Sequence, residues 1–417
     1  MKKILIRGET CLNGTVKIQG SKNAVLPIMA ASILSDEGCV LYNCPHLSDV
    51  YNTMHILNFT GHDTVLEYNT LTIHRNNNFN GVLPDSMIKK MRSSILFMGA
   101  LLNKYGYVKI SLPGGCELGA RPIDLHLKAF EQLGVKVREH YGYYECYCDT
   151  VNGDDVYLDF PSVGATENIM ILACRCDGKT KIHNAAKEPE IIDLQNFLNS
   201  LGADIKGCGT DVIEINGVKK LSGTYYNVMP DRIVTATYLI ASAITNSEIF
   251  ITETCTDDLI SVISVLNRCG FYTEYDKNSI KIYQSERVKP IDLIRTMPYP
   301  GFPTDVQSII TSLLCIADGT SIITENLFES RFKHVGELCR MGADIRVIEK
   351  NAVIRGVDKL YGANVAASDL RCAASLIVAG LAAHGNTIVD GIEYLDRGYE
   401  NFIENLNTLG ADISYVS

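Results

Sequence analysis

Apolar residues spaced three and four apart alternate along this chain with short runs in which every second residue is apolar. The clearest case is residues 191–201, where Leu194, Phe197, Leu198 and Leu201 fall on one face of a helix. That face ends at Gly202, where a left-handed backbone closes a helix at least steric cost. Val212-Ile-Glu-Ile-Asn216 then alternates as a strand. The junction Leu201-Gly-Ala-Asp-Ile205 returns as Met341-Gly-Ala-Asp-Ile345 and Leu409-Gly-Ala-Asp-Ile413. Weaker copies start at Thr60, Leu133 and Cys269, so the glycines stand at 61, 134, 202, 270, 342 and 410, with gaps of 73, 68, 68, 72 and 68. Six units of about 70 residues account for the chain.

A second set of helices recurs with the same period: Ala24–Leu34, Ser93–Leu102, Ala165–Cys174, Ile233–Ile244, Val306–Ile316 and Leu370–Leu381. These are apolar on all sides, the pattern of a helix buried on every face. Each starts at a polar group: Ser21-Lys-Asn, Lys90-Met-Arg, Ser162-Val-Gly, Asp231-Arg, Thr304-Asp and Ser368-Asp-Leu-Arg. A unit therefore reads strand, buried helix, strand, amphipathic helix, two strands. Three units could enclose three buried helices in one domain. If those helices run parallel, their N-termini gather partial positive charge that favours an anion.

Composition narrows the function classes. With 417 residues, 46% of them hydrophobic, the chain can fill large cores. A net charge of −10 and a pI of about 5.4 exclude a basic nucleic-acid footprint. MKKILIRGET is not a signal peptide, and the longest apolar stretches fall short of the ~20 residues of a membrane span. A soluble, cytoplasmic protein without membrane or nucleic-acid partners is expected. Fourteen cysteines include no Cys-x-x-Cys pair, and the two Cys-x-Cys pairs have no histidines at zinc spacing, so they read as small hydrophobes and imply no metal.

One stretch stands apart from this pattern. In LPGGCELGARPIDLHL (Leu112–Leu127), Pro113, Gly114 and Gly115 make a turn that neither a helix nor a strand interior accepts. The turn places Cys116 on a loop with Arg121, Asp124 and His126 close behind in sequence.

With SKNAVLPI (Ser21–Ile28), PSVGATEN (Pro161–Asn168), YPGFPTDVQ (Tyr299–Gln307), ESRFKHV (Glu329–Val335), SDLRCAASL (Ser368–Leu376) and DRGYE (Asp396–Glu400), that stretch resembles the UDP-N-acetylglucosamine enolpyruvyl transferases from end to end. The resemblance implies an α/β fold of two inside-out α/β barrels, each of three βαβαββ units, with the active site in the cleft between them. It also implies that the N-terminal strand belongs with the C-terminal domain. The domains would then be 22–229, carrying the Cys116 loop, and 1–21 plus 230–417, carrying Asp305 and Arg397.

The activity so implied is transfer of the enolpyruvyl group of phosphoenolpyruvate to the 3-hydroxyl of UDP-N-acetylglucosamine, with release of phosphate. It proceeds by addition and elimination through a tetrahedral intermediate and opens peptidoglycan precursor synthesis. Residues matching the family's phosphoenolpyruvate contacts are Lys22, Asn23, Arg92, Arg121 and Arg397. Arginine's planar fork suits phosphate or carboxylate, and lysine adds a point charge.

Cys116 matches the reactive thiol that protonates the methylene carbon, forms a covalent adduct with phosphoenolpyruvate and is alkylated by fosfomycin. Asp305 matches the base proposed for the 3-hydroxyl, or else orients the sugar. Asn23, Arg92, Arg121, Pro122, Ile123, Asp124, Leu125, Ser162, Val163, Gly164, Asp305 and Leu327 match the nucleotide-sugar contacts. Asp369 and Arg371 support the phosphate-facing wall, and His126 reads as a structural or uridine-side residue. No metal or organic cofactor is implied, and oligomeric state is not encoded in the pattern.

Three positions depart from the family. Glu117 adds a charge beside the thiol, Phe160 stands where some members place a lysine, and Val234 where an acidic residue often follows Asp231-Arg232. Two other readings stay open: a 5-enolpyruvylshikimate-3-phosphate synthase, which shares fold and donor but lacks such a cysteine loop, and a non-catalytic paralogue that binds or regulates.

Overall fold

A parallel strand pair beside antiparallel neighbours organises five of the six sheets among the described residues. The computed structural model describes residues 3–75, 79, 82–111 and 123–416. Cys116, Arg121 and Pro122 lie outside the described residues. The chain divides into two compact units, one within residues 20–229 and the other formed by 3–19 and 230–416.

In the first unit, Thr224–Asn227 pairs parallel with Cys39–Tyr42, followed by antiparallel Thr70–Arg75 and His62–Glu67. Another sheet follows the same rule: Asp155–Tyr157, Lys179–His183, Val212–Asn216 and Asp204–Lys206. The third has Tyr107–Ser111, Tyr143–Tyr147 and Lys136–His140. There the expected parallel outer strand is reduced to a single bridge between Val82 and Lys109.

The second unit repeats the pattern three times. Ile294–Arg295 precedes Thr320–Thr324, Asn351–Arg355 and Asp344–Ile348. Asn13–Lys17 pairs parallel with Glu248–Thr252, beside Ser279–Ile282 and Thr273–Tyr275. Asn364–Ala366 leads to Asn386–Asp390, then Lys3–Arg7 and Asp412–Val416. The sixth sheet is thus completed by the first strand of the chain. Two further strands serve sheets remote in sequence: Asn13–Lys17 and Thr224–Asn227 each pair on the far side of a unit boundary from the helix that follows them.

The six all-apolar helices form as Lys22–Ala31, Leu96–Tyr105, Val163–Ala173, Arg232–Ile244, Thr304–Leu314 and Leu370–Ala382. Every residue of Arg232–Ile244 is buried, and this helix packs on Thr304–Leu314 and Leu370–Ala382, which also pack on each other. In the first unit Leu96–Tyr105 lies between Lys22–Ala31 and Val163–Ala173. Each unit has its own apolar core around these helices, where full burial of one Leu or Ile contributes about 1.5–3 kcal/mol.

Caps set the helix ends. Ser21, Ser162, Asp231 and Asp369 accept first-turn amides through their side chains. The six period-marking glycines all have positive φ, between 85° at Gly61 and 105° at Gly202. After five of the amphipathic helices the two bonds of a Schellman ending form, as in Gly202 N–H to Asn199 and Ala203 N–H to Leu198. The ~70-residue period of the sequence is therefore a period of helix stops. Among the described residues no helix is long and apolar enough to cross a membrane.

Candidate functional site

In the second unit the first turns of the three buried helices meet at Arg371. This residue is 6% exposed and follows the Asp369 cap by two positions. Its Nη2 lies 3.4 Å from Asp305 Oδ2, and its Nη1 donates to the Tyr399 hydroxyl at 3.3 Å. Burial alone would lower the basicity of this guanidinium. The nearby Asp305, Tyr399 and Asp231 outweigh burial and hold its pKa above the ordinary value.

Asp305 does not cap its helix. Pro303 occupies that position and Asp305 is the second helical residue, with its carboxylate turned to two arginines. Arg331 Nη2 donates to Oδ1 at 2.6 Å and to the Thr304 carbonyl at 3.2 Å. ESRFKHV was informative as a motif, yet nothing in its spacing marks Arg331 as the partner of Asp305.

Glu325, 3% exposed, ties Asp305's neighbour to Leu327. Oε1 accepts from Thr296 Oγ1 at 2.8 Å, Leu327 N–H at 2.8 Å and Phe328 N–H at 3.2 Å; Oε2 accepts from Thr304 Oγ1 at 2.8 Å. Leu327, one of the residues matched to nucleotide-sugar contacts, and Thr304, the neighbour of another, are thereby fixed to one buried carboxylate. Arg397 ends the short 3₁₀ turn Ile392–Arg397, and Gln19 holds the next residues by bonds to the Gly398 carbonyl and the Glu400 amide.

In the first unit a different group gathers around His126. Arg92 opens a 3₁₀ turn (Arg92–Ile95) that runs into the Leu96–Tyr105 helix, and Asp124 opens the helix Asp124–Gln132 that carries Leu125 and His126. Burial, with a smaller contribution from the Arg92 charge, pushes the His126 pKa down to about 4, so the ring is neutral at pH 7. Gly164, one residue inside the Ser162-capped helix, faces the imidazole, which would lie 3.5 Å from a Cβ placed there. Ile123 is buried, and Leu125 and Val163 pack against the core. Lys22 starts its helix directly after Ser21 and pairs with the buried Asp49 at 3.1 Å, with half-buried Asn23 beside it.

Within each unit the structure therefore gathers much of what the motifs single out: Asp305, Leu327, Asp369 and Arg371 in one, Arg92, Asp124 and Gly164 in the other. Among the described residues no cluster of His, Cys, Asp and Glu could hold a metal ion. Thirteen described cysteines are free thiols. Burial pushes several upward, such as Cys39 and Cys255 to about 11, which makes them poor nucleophiles.

A family model described as EPSP synthase (3-phosphoshikimate 1-carboxyvinyltransferase) matches residues 6–406. The chain belongs to the enolpyruvyl transferase family. It is 49% identical, over 99% of both chains, to UDP-N-acetylglucosamine 1-carboxyvinyltransferase 2 of Caldanaerobacter subterraneus subsp. tengcongensis. It is 47% identical to the protein of the same name from Carboxydothermus hydrogenoformans, over the whole of both chains. Among solved structures, the enolpyruvyl transferase NikO from Streptomyces tendae superposes with a TM-score of 0.90 at 23% identity, covering 100% of this chain and 99% of that one. EPSP synthase from Acinetobacter baumannii gives 0.79 at 19% identity over the whole of both chains. These two likenesses establish the fold: the six-sheet, helix-filled architecture is that of the enolpyruvyl transferases. The residues that sequence reasoning passed over are Arg331, Glu325 and Tyr399, each bonded to a partner distant in the chain.

Proposed function

We propose that this enolpyruvyl transferase moves the enolpyruvyl group of phosphoenolpyruvate onto the 3-hydroxyl of UDP-N-acetylglucosamine, as the first committed step of peptidoglycan precursor synthesis in the cytoplasm. The observation that carries the reading is the 46–49% identity, along essentially the whole chain, to relatives named for that activity.

In the addition step the sugar oxygen bonds to C2 of phosphoenolpyruvate while its proton leaves and the C3 methylene gains a proton, giving a tetrahedral ketal. In the elimination step C3 loses a proton and C2 loses phosphate, restoring the double bond. Cys116 protonates the methylene, assists departure of phosphate and forms the covalent adduct; the same thiol takes fosfomycin. Lys22, Asn23, Arg92, Arg121 and Arg397 bind the anionic donor, and charge-assisted bonds from arginine suit both its phosphate and its carboxylate. Asn23, Arg92, Arg121–Leu125, Ser162–Gly164, Asp305 and Leu327 hold the nucleotide sugar. A carboxylate is too weak a base for a free alcohol, so Asp305 takes the proton as the C–O bond forms. The Arg331 and Arg371 forks fix the direction from which it does so, and Asp369 supports Arg371 through the helix cap.

The residues divide between domains 22–229 and 1–21 plus 230–417, and both sets serve one reaction. The Cys116 loop argues against shikimate 3-phosphate as the acceptor, although the family description carries that name. Incubation with both substrates followed by mass spectrometry of the sugar tests the proposal. Enolpyruvyl-UDP-N-acetylglucosamine is the expected product, and unchanged sugar nucleotide refutes it.

A further inference from the structure

We propose that Asn168 is a positioning residue for the nucleotide sugar, acting through His126 by fixing which ring nitrogen carries the proton. The inference rests on the acceptor assigned under Proposed function.

Asn168 is fully buried on the Val163–Ala173 helix, four residues beyond Gly164. Its Oδ1 accepts from the Gly99 amide at 2.9 Å, and its Nδ2 donates to the Ile95 carbonyl at 3.0 Å. These two backbone partners leave the amide one orientation. Turning it over would set oxygen against the Ile95 carbonyl and NH₂ against the Gly99 N–H. Close approach is part of the device, because a Cβ on Gly99 would come within 2.4 Å of Asn168 Oδ1.

The second Nδ2 proton points at His126 Nδ1, 3.0 Å away. A donor there makes Nδ1 an acceptor, and a neutral ring must then carry its proton on Nε2. The Nε2 edge lies against the start of the helix, 3.7 Å from a Cβ placed on Gly164. Asn168 thus presents an N–H donor beside the Ser162–Gly164 turn, where the opposite tautomer would present a lone pair. A donor suits the phosphate or carbonyl oxygens of a nucleotide. The same side chain braces three segments matched to acceptor contacts: the turn opened by Arg92, the helix opened by Asp124, and its own helix behind Ser162. Among the described residues, the charges of Arg92 and Asp124 act on the ring.

The test is long-range proton–nitrogen correlation of histidine-labelled protein, with His126 identified by the signal lost in His126→Gln. At pH 7 the native ring is expected to be protonated on Nε2 alone. Asn168→Asp keeps an oxygen for Gly99 but turns an acceptor toward Nδ1, at the cost of an oxygen facing the Ile95 carbonyl, so Nδ1 should become protonated. KM for UDP-N-acetylglucosamine should then rise about tenfold, with kcat and the phosphoenolpyruvate KM within about threefold. Protonation on Nδ1 in the native protein overturns the proposal, as does a relocated proton with an unchanged acceptor KM. If Asn168→Asp does not fold, UDP titrated into the native protein decides: the Nε2 signal must move, and a fixed signal at saturation overturns the proposal. Native protein that turns over no UDP-N-acetylglucosamine while UDP still moves Nε2 would strike the proposed function and leave the tautomer device standing.

Discussion

Arg331 and Asp305, 26 residues apart in sequence, are joined by a 2.6 Å charge-assisted hydrogen bond, and Arg371 holds the other carboxylate oxygen at 3.4 Å. Asp305 is the only member of the trio with substantial exposure, its side chain 30% accessible against 3% and 7% for the arginines. A carboxylate held in this way is aimed before the substrate arrives. Asp305→Asn preserves the shape but cannot take a proton. Its kcat is expected to fall by about 10²–10⁴-fold, with the acceptor KM changed only a few-fold in steady-state assays. A near-native kcat would assign Asp305 to orientation alone.

Glu325 gathers four donors inside the core, two of them the amides of Leu327 and Phe328. Glu325→Gln leaves a single acceptor oxygen for them. The cost is about 1–3 kcal/mol, the range for orphaned buried donors, and should appear in urea melts. The acceptor KM should rise as Leu327 loosens, while fosfomycin inactivation at Cys116 keeps its rate. Unchanged melts and KM together would show that the four bonds are dispensable.

Three buried histidines make stability depend on pH. Burial pushes His62, His126 and His334 from 6.5 down to about 4 each, with smaller contributions from Lys104 and Arg75, from Arg92, and from Arg331 respectively. Below pH 6.5 the unfolded chain takes up protons that the folded rings refuse. Their contribution is therefore fully present above that pH and is lost as pH falls toward 4, by about 1.4 kcal/mol per pH unit for each ring. Denaturant melts at pH 7, 6 and 5 should show the decline, and His62→Gln should reduce its slope. A flat profile would contradict the burial of these rings.

Cys116→Asp replaces a thiol by another proton donor. It should retain measurable turnover and lose inactivation by fosfomycin, read as residual activity after incubation. Full inactivation of the variant would place the reactive thiol elsewhere.

The period of the fold was legible because it is written locally. A helix face, a glycine that must take positive φ and an alternating strand all fall within about 25 residues, and Gly202, Gly342 and Gly410 carry the same sentence three times. What closes each sheet was not legible in the residue pattern; only the family resemblance assigned the N-terminal strand to the C-terminal domain. Lys3–Arg7 pairs with Asn386–Asp390 and Asp412–Val416, and Asn13–Lys17 pairs with Glu248–Thr252; nothing in an alternating pentapeptide names a partner hundreds of residues away. The site divides in the same way. Asp305, Arg371 and Asp369 stood out beside helix starts, whereas Arg331, Glu325 and Asn168 matter through several hydrogen bonds that reach residues distant in the chain. The helix start at Thr304-Asp was legible; that Pro303 holds the cap position, with the Asp305 carboxylate turned to two arginines, was not.

The central claim is tested most directly by phosphate release from phosphoenolpyruvate with two acceptors offered separately. UDP-N-acetylglucosamine should support steady turnover and shikimate 3-phosphate none, with the activity abolished by prior fosfomycin. Turnover with shikimate 3-phosphate, or release of phosphate with neither acceptor, would contradict the account.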